Sequence, residues 1–298
     1  MQRASRSLAI LKGMRWSMLF LAVSAWGQIF SVTPPAARQG ETLKVTGDKS
    51  VHSARMHGRT IPLFPQEDGH TLGLMPVPVL EKPGAYTLEF LDEKGAVLHA
   101  EPVTVKDARY PRQNIVIAPD IAGLKPSPGE QETVGAFRKT VSSARYWQEP
   151  LRAPESGCLT SLFGVMRLHN GKPTGDFHAG VDQRGAAGAP IHPVAAGVVK
   201  IVKPYNLRGG TVAVDHGQGM QSIYLHMSGF AVKEGDHVTP ESVIGYIGST
   251  GRSTGPHVHW TLYVNGEAVD PGQWMTLKAC PPAAKKPVRA KARAQKSA

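Results

Sequence analysis

The sequence predicts a mostly β protein built as an N-terminal β-sandwich-like domain followed by an antiparallel β-sheet domain. Three observations carry that expectation. Short segments rich in β-branched and aromatic residues recur along the chain, each closed by Gly, Pro or Asn-Gly. The composition is turn-rich, with 32 Gly and 24 Pro, and no long heptad or helical period runs through it. A chain of 298 residues is long enough for two domains with separate cores.

Taken in order, residues 1–27 read as a signal peptide. Arg3, Arg6, Lys12 and Arg15 precede the apolar run at residues 18–23, and small residues (Ser24, Ala25, Gly27) follow it. That is the basic, apolar and small-residue succession of a secretory signal, with cleavage expected near residues 25–27. An uncleaved N-terminal anchor is the alternative, although the run is short for a bilayer span. The expected location is the periplasm, the cell envelope or the exterior.

Residues 28–108 form the sandwich-like module, from segments such as "ETLKVTG" and "YTLEFLDEKGAVLHAEPVTV", the latter with a hairpin turn at Glu93-Lys94-Gly95. No metal or nucleophile pattern falls in it, so a spacer or binding role is expected. Residues 109–157 are polar and Pro-bearing. They read as a linker with one helix, capped by Ser127 and carrying Val134, Phe137 and Val141. Strands return over residues 158–280 in "AAGVVKIVKP", "GTVAVDHG", "MQSIYLHM", "SVIGYIGS" and "HVHWTLYVNG". Cys158 and Cys280, the only cysteines, bracket this stretch. In an exported protein such a pair is expected to form a disulfide stapling the two ends; in the cytosol two buried thiols would be the default.

Residues 281–298 form a basic tail, expected to be disordered and solubilising, with electrostatic contact to an anionic wall or membrane surface as a second role. The formal net charge is +11, but ten basic residues lie on the two tails, leaving 24 basic residues against 23 acidic. A nucleic-acid reader carries its basic stripe on the fold itself, so no nucleic-acid partner is expected.

The chemistry concentrates in three places. In a strand, residues i and i+2 face the same way, so His257 and His259 of "GPHVHW" project together while Val258 and Trp260 face the interior. Two such imidazoles could equally be a polar edge. In "DFHAGVDQRG", His178 and Asp182 share a face of extended backbone, and Gly180 between them leaves room for a ligand. Imidazole nitrogens and a carboxylate oxygen are zinc donors at about 2.0–2.2 Å, and three protein ligands with one open position make a catalytic site. His226 in "IYLHM" stands beside Tyr224 and, alone, reads as readily as a half-buried structural histidine. His216 and His237 are expected at turns or on the surface, and His192 as a groove-lining or structural residue.

Together these pieces carry a resemblance. "HAGVD" (178–182), "YLHM" (224–227) and "GRSTGPHVHW" (251–260), in that order, resemble the lysostaphin/LytM-type zinc metalloendopeptidases, which cut peptidoglycan peptides. "SLFG", "AAGVV", "VDHGQGM", "EGDHVTPESVIGYIGSTG" and "NGEAVDPGQW" also look like that family, so the resemblance covers roughly residues 155–275. It implies Zn2+ held by His178, Asp182 and His259, with His226 and His257 as catalytic histidines and a peptidoglycan peptide as substrate. The bound zinc would polarise the scissile carbonyl and acidify a water. His257 is expected as the base and His226 as stabiliser of the oxyanion. A monomer is expected.

Two departures stand out. "QRGAAGAP" follows Asp182, so Gln183 and Arg184 are expected to alter the groove rim. The region 30–150 is additional to a bare catalytic domain and is expected to cover the groove. The alternatives are a catalytically silent wall-binding protein or amidase activator of the same fold, and a zinc endopeptidase acting on glycine-rich proteins. D-Ala–diaminopimelate and Gly–Gly bonds are both compatible with the motif.

Overall fold

The computed structural model describes residues 29–115, 123–169 and 171–281. The expected signal peptide and, apart from Pro281, the expected basic tail lie outside the described residues.

The first module runs β1 (Phe30–Thr33), β2 (Ala36–Arg38), β3 (Thr42–Gly47), β4 (Ser53–Met56), β5 (Arg59–Pro62), β6 (Phe64–Pro65), β7 (Thr71–Pro76), β8 (Gly84–Leu91) and β9 (Val97–Lys106). These strands form two sheets, ordered β1-β3-β7-β6 and β2-β9-β8-β4-β5. Alternation supplies the core: Leu43, Val45 and Met75 of one sheet meet Ala54, Met56, Leu88, Phe90 and Val103 of the other in one apolar cluster. The β8–β9 turn falls at the expected place. Asp92 accepts from the amides of Lys94 and Ala96, and Gly95 adopts φ 80°.

Next come β10 (Arg112–Ile115) and helix α1 (Glu130–Lys139). Here the structure departs from the expected linker. β10 pairs in parallel with a strand of the second domain, Gln113 opposite Arg167. Val134 and Phe137 are buried as the helix's apolar face, but Ser127 is not its cap. The helix begins after Gly129 at φ 74°, while the Ser127 amide donates to the Glu130 carboxylate. Val141 falls beyond the helix, because extended Thr140 closes its amide on the Phe137 carbonyl and ends the turn.

The second domain contains β11 (Leu159–Ser161), β12 (Met166–His169), β13 (Lys172–Phe177), β14 (Val181–Arg184), β15 (Pro190–Ile191), β16 (Gly197–Tyr205), β17 (Gly209–Gly217), β18 (Met220–Met227), β19 (Gly229–Phe230), β20 (His237–Val238), β21 (Gly245–Tyr246), β22 (His257–Val264) and β23 (Glu267–Val269). The main sheet is ordered β11-β14-β22-β18-β17-β16-β20, with β23 added beside β22. Two small sheets, β10-β12-β13 and β15-β21-β19, flank it. Every residue of β17 is buried, a strand covered on both faces. That is why "GGTVAVDHG" lacks a clean polar alternation.

Cys158 and Cys280 form a disulfide across 122 residues of sequence, and the Leu159 and Cys280 amides bond to the Lys278 and Leu159 carbonyls beside it. The first module docks through Thr42 on the Gln273 side chain (2.7 and 2.8 Å), the Gly40 carbonyl accepting from the Asp270 amide (2.7 Å), and the Leu74 carbonyl accepting from Asn265 (2.6 Å). Asn265 follows β22 at its Val264 end, whereas Asp270 follows β23, which runs back along β22 with Val269 opposite Leu262.

Candidate active site

β14 and β22 pair antiparallel with Asp182 opposite His259 and Arg184 opposite His257. Directly opposed residues point to the same face, so the register alone sets a carboxylate against an imidazole. Val258 and Trp260, at alternate positions of β22, are fully buried on the other face. His178 arrives from the turn between β13 and β14 rather than from one continuous strand. Its amide and carbonyl pair with the Val165 carbonyl and the Gly164 amide. Gly180 makes this turn possible, for a different reason than expected. A Cβ there would collide with the Trp260 carbonyl, the Thr261 hydroxyl and the His259 ring. The missing side chain lets the turn press against β22 and does not make room for a ligand.

Three atoms converge. His178 Nε2 lies 3.1 Å from Asp182 Oδ1 and 3.0 Å from His259 Nδ1, and His259 Nδ1 lies 2.8 Å from Asp182 Oδ1. The other ring nitrogens are turned outward to partners. His178 Nδ1–H donates to the Leu162 carbonyl at 2.8 Å, which leaves Nε2 as a lone pair toward the cluster, and His259 Nε2 faces the Thr261 hydroxyl at 3.3 Å. Burial lowers His259 to about 4, only partly offset by Asp182. Burial alone would raise the Asp182 carboxyl, but the His178 and His259 rings hold it well below the usual carboxylate range. Two imidazole nitrogens and an ionised carboxylate, gathered within about 3 Å of one another, form a donor set suited to a divalent cation.

His226 and His257 line the same cluster. Their ring centroids are 5.0 Å apart, His226 is 6.1 Å from His259, and His257 Nε2 is 3.6 Å from Asp182 Oδ1. Each ring donates from Nδ1 to a carbonyl at 2.8 Å, that of Thr250 for His226 and of Gly255 for His257. Both therefore carry a free Nε2 lone pair. His226 is the more buried, and burial with the neighbouring His259 and His257 lowers it to about 3. It reaches the site through a bulge that sequence reading missed. The β17–β18 register shifts between Tyr224 and Met227, and His226 adopts φ 63°. A left-handed conformation at a non-glycine residue costs about 1–3 kcal/mol and clusters at functional sites.

Residues 176–271 match the family model for Peptidase family M23. The chain carries an M23 peptidase domain. Over 113 residues it is 38% identical to the DD-carboxypeptidase/endopeptidase Mpg of Neisseria meningitidis, a match covering 38% of this chain and 26% of that protein. Over 112 residues it is 36% identical to the peptidoglycan DD-endopeptidase ShyA of Vibrio cholerae, again 38% of this chain and 26% of that protein. The chain thus spans about a quarter of the length of these curated relatives. The crystal structure of a protein assigned to peptidase M23 from Pseudomonas aeruginosa aligns with a TM-score of 0.61 at 28% identity, over 81% of this chain and 95% of that one. That likeness extends beyond the M23 domain into the N-terminal part.

The M23 domain corrects some expectations around the site. Gln183 is buried, not at the groove rim, since its amide donates to the Glu155 and Gly157 carbonyls and its oxygen faces Trp260 Nε1. Arg184 is exposed beside His257. His216 is fully buried, donating from Nδ1 to the Ala196 carbonyl and lying 2.7 Å from the Ser222 hydroxyl. It sits in β17 between strands, so the Gly after it marks the strand end and not a surface turn. His192 is held by the Ser242 carbonyl, and His237 is exposed. The carbonyls of Leu162, Thr250 and Gly255 that fix the histidine tautomers carry no side-chain signature and were invisible in the sequence.

Proposed function

We propose that the protein is a zinc-dependent endopeptidase that hydrolyses peptide bonds in peptidoglycan stem or cross-link peptides outside the cytoplasm. The observation that carries this reading is the convergence of His178, Asp182 and His259 within about 3 Å of one another, with two further imidazoles aimed at the same point. His178, Asp182 and His259 would hold the ion. When bound, zinc supplies Lewis-acid polarisation of the scissile carbonyl and acidifies water. The peptidoglycan substrate is supported by the named activities of the relatives from Neisseria and Vibrio.

The remaining steps belong to the chain. His226 and His257 each commit their Nδ1 proton to a carbonyl, that of Thr250 and that of Gly255, and present Nε2 as a proton acceptor. Taking up a proton would make His226 a buried imidazolium, which its surroundings disfavour, so the base role suits the less buried His257. His257 stands at the more open rim, its Nε2 3.6 Å from Asp182 Oδ1, and His226 would be left beside the developing oxyanion.

The test is metal content and release of peptides from purified peptidoglycan, for the wild type and His259→Ala. One zinc per chain and peptide release, both lost in the variant, is the expected result. Zinc bound with no peptide released, including from glycine-rich proteins, would favour a silent wall-binding protein. Cleavage of glycine-rich protein alone would move the substrate, and a folded wild type that takes up no zinc would overturn the mechanism.

A further inference from the structure

Glu130 is the first residue of α1, outside the matched M23 segment, yet it is fully buried. Its carboxylate ties down the loop between β16 and β17. One oxygen accepts from the Arg208 amide (3.1 Å) and guanidinium (2.8 Å), the other from the amides of Ser127 (2.9 Å) and Leu207 (3.3 Å). A buried carboxylate needs this many donors to remain ionised.

The captured loop turns its carbonyls toward the site. The Arg208 carbonyl accepts the His226 amide at 3.0 Å, and the Leu207 carbonyl accepts the Arg252 amide at 2.9 Å. The latter bond ties residues 250–252 to the same loop, as does the Gly210 amide donating to the Thr250 hydroxyl at 2.9 Å. The Thr250 carbonyl in turn accepts the His226 ring proton. Main chain and ring of His226 are thus both held by segments that Glu130 anchors. A residue at φ 63° keeps that conformation only where its surroundings over-determine it.

We infer that Glu130 is a positioning residue for His226: the N-terminal helix sets the aim of a catalytic-site histidine through the 206–208 loop. This rests on the proposed reading of the site. The first consequence concerns turnover and not metal, because His178, Asp182 and His259 lie on other segments. Misplacing a reacting group by about 1 Å costs about 10²-fold in rate.

The experiment uses the full chain as wild type, Glu130→Ala and Glu130→Gln, the glutamine serving if the alanine variant does not fold. Three quantities are read on each: zinc content, kcat and KM on peptidoglycan peptides, and amide hydrogen exchange. We expect one zinc per chain throughout, kcat lowered about 10²-fold in Glu130→Ala with KM little changed, and a smaller loss in Glu130→Gln, which keeps one acceptor oxygen. The His226 amide should exchange at least about tenfold faster while Val212 and Leu262, in the central strands, keep their protection. Unchanged kcat and unchanged His226 exchange in a folded variant would overturn the inference. So would acceleration spread evenly over all three amides, since that is a structural role only. If the wild type itself cleaves no peptide, the proposed function fails, while the exchange comparison still decides whether Glu130 positions His226.

Discussion

Lowering the pH should destabilise this protein through His216, a histidine remote from the candidate metal ligands. Its ring is fully buried in β17, bonded to the Ala196 carbonyl and beside the Ser222 hydroxyl, which in turn lies 2.8 Å from the Tyr224 hydroxyl. Burial lowers its pKa to about 4, against the pull of Ala196 and Asp215. The unfolded chain takes up this proton below about pH 6.5, the folded one only below about pH 4. Between those values the unfolded state holds more protons, so stability falls as pH falls. Linkage over that interval gives a loss of about 2 kcal/mol from pH 7 to pH 5, and about 3 kcal/mol by pH 4.

The assay is urea unfolding of metal-stripped wild type and His216→Asn at pH 7 and pH 5, since the asparagine amide can still donate to Ala196 but does not titrate. Wild type should be the more stable at pH 7, and its advantage should shrink by about 2 kcal/mol at pH 5. Parallel losses in both proteins would show that His216 titrates normally and refute the reasoning.

Three further outcomes are expected. Thr261→Val keeps the shape but removes the hydroxyl beside His259 Nε2; zinc affinity, measured by competition with a chelating dye, should fall about tenfold with little change in stability. Gly180→Ala places a methyl against β22 and the His259 ring; a loss of about 1–3 kcal/mol in chemical unfolding, together with weakened zinc binding, should follow. Removing the Cys158–Cys280 bond by a double alanine substitution opens a loop of 122 residues; guanidinium unfolding should show a loss of up to about 5 kcal/mol, and a loss below about 1 would mean the pairing beside the disulfide suffices.

What the sequence revealed, and what it hid, follows from the range of each interaction. Period-two patterns are local, so β18 was legible as "MQSIYLHM" to the residue, and so was the shared face of His257 and His259. The grouping of His178, Asp182, His226, His257 and His259 was legible only through the ordered resemblance, since no local rule brings β14, β18 and β22 side by side. Gln183 and His216 were misread because burial is decided by strands distant in sequence: a polar residue after a metal-type aspartate, or before a glycine, looks solvent-facing until its neighbours are in place. The bulge at His226 was hidden for a similar reason, since it shows only in the register of β17 against β18.

The same logic bears on where the M23 domain ends as a working unit. Residues 176–271 contain all five site residues. They do not contain Glu130, which braces the loop under His226, nor the Leu162 carbonyl that fixes the His178 tautomer. They also omit Trp147, fully buried, whose indole donates to the Gly217 carbonyl at the end of β17. A segment that sequence composition marks as a linker thus supplies core, loop bracing and, through β10, an added strand. A fragment starting at residue 176 should accordingly keep the five side chains but lose their support. Zinc uptake and amide exchange of residues 109–281 against 176–281 would check this: equal zinc affinity and equal His226 protection in the two would mean that the preceding segment contributes nothing to the site.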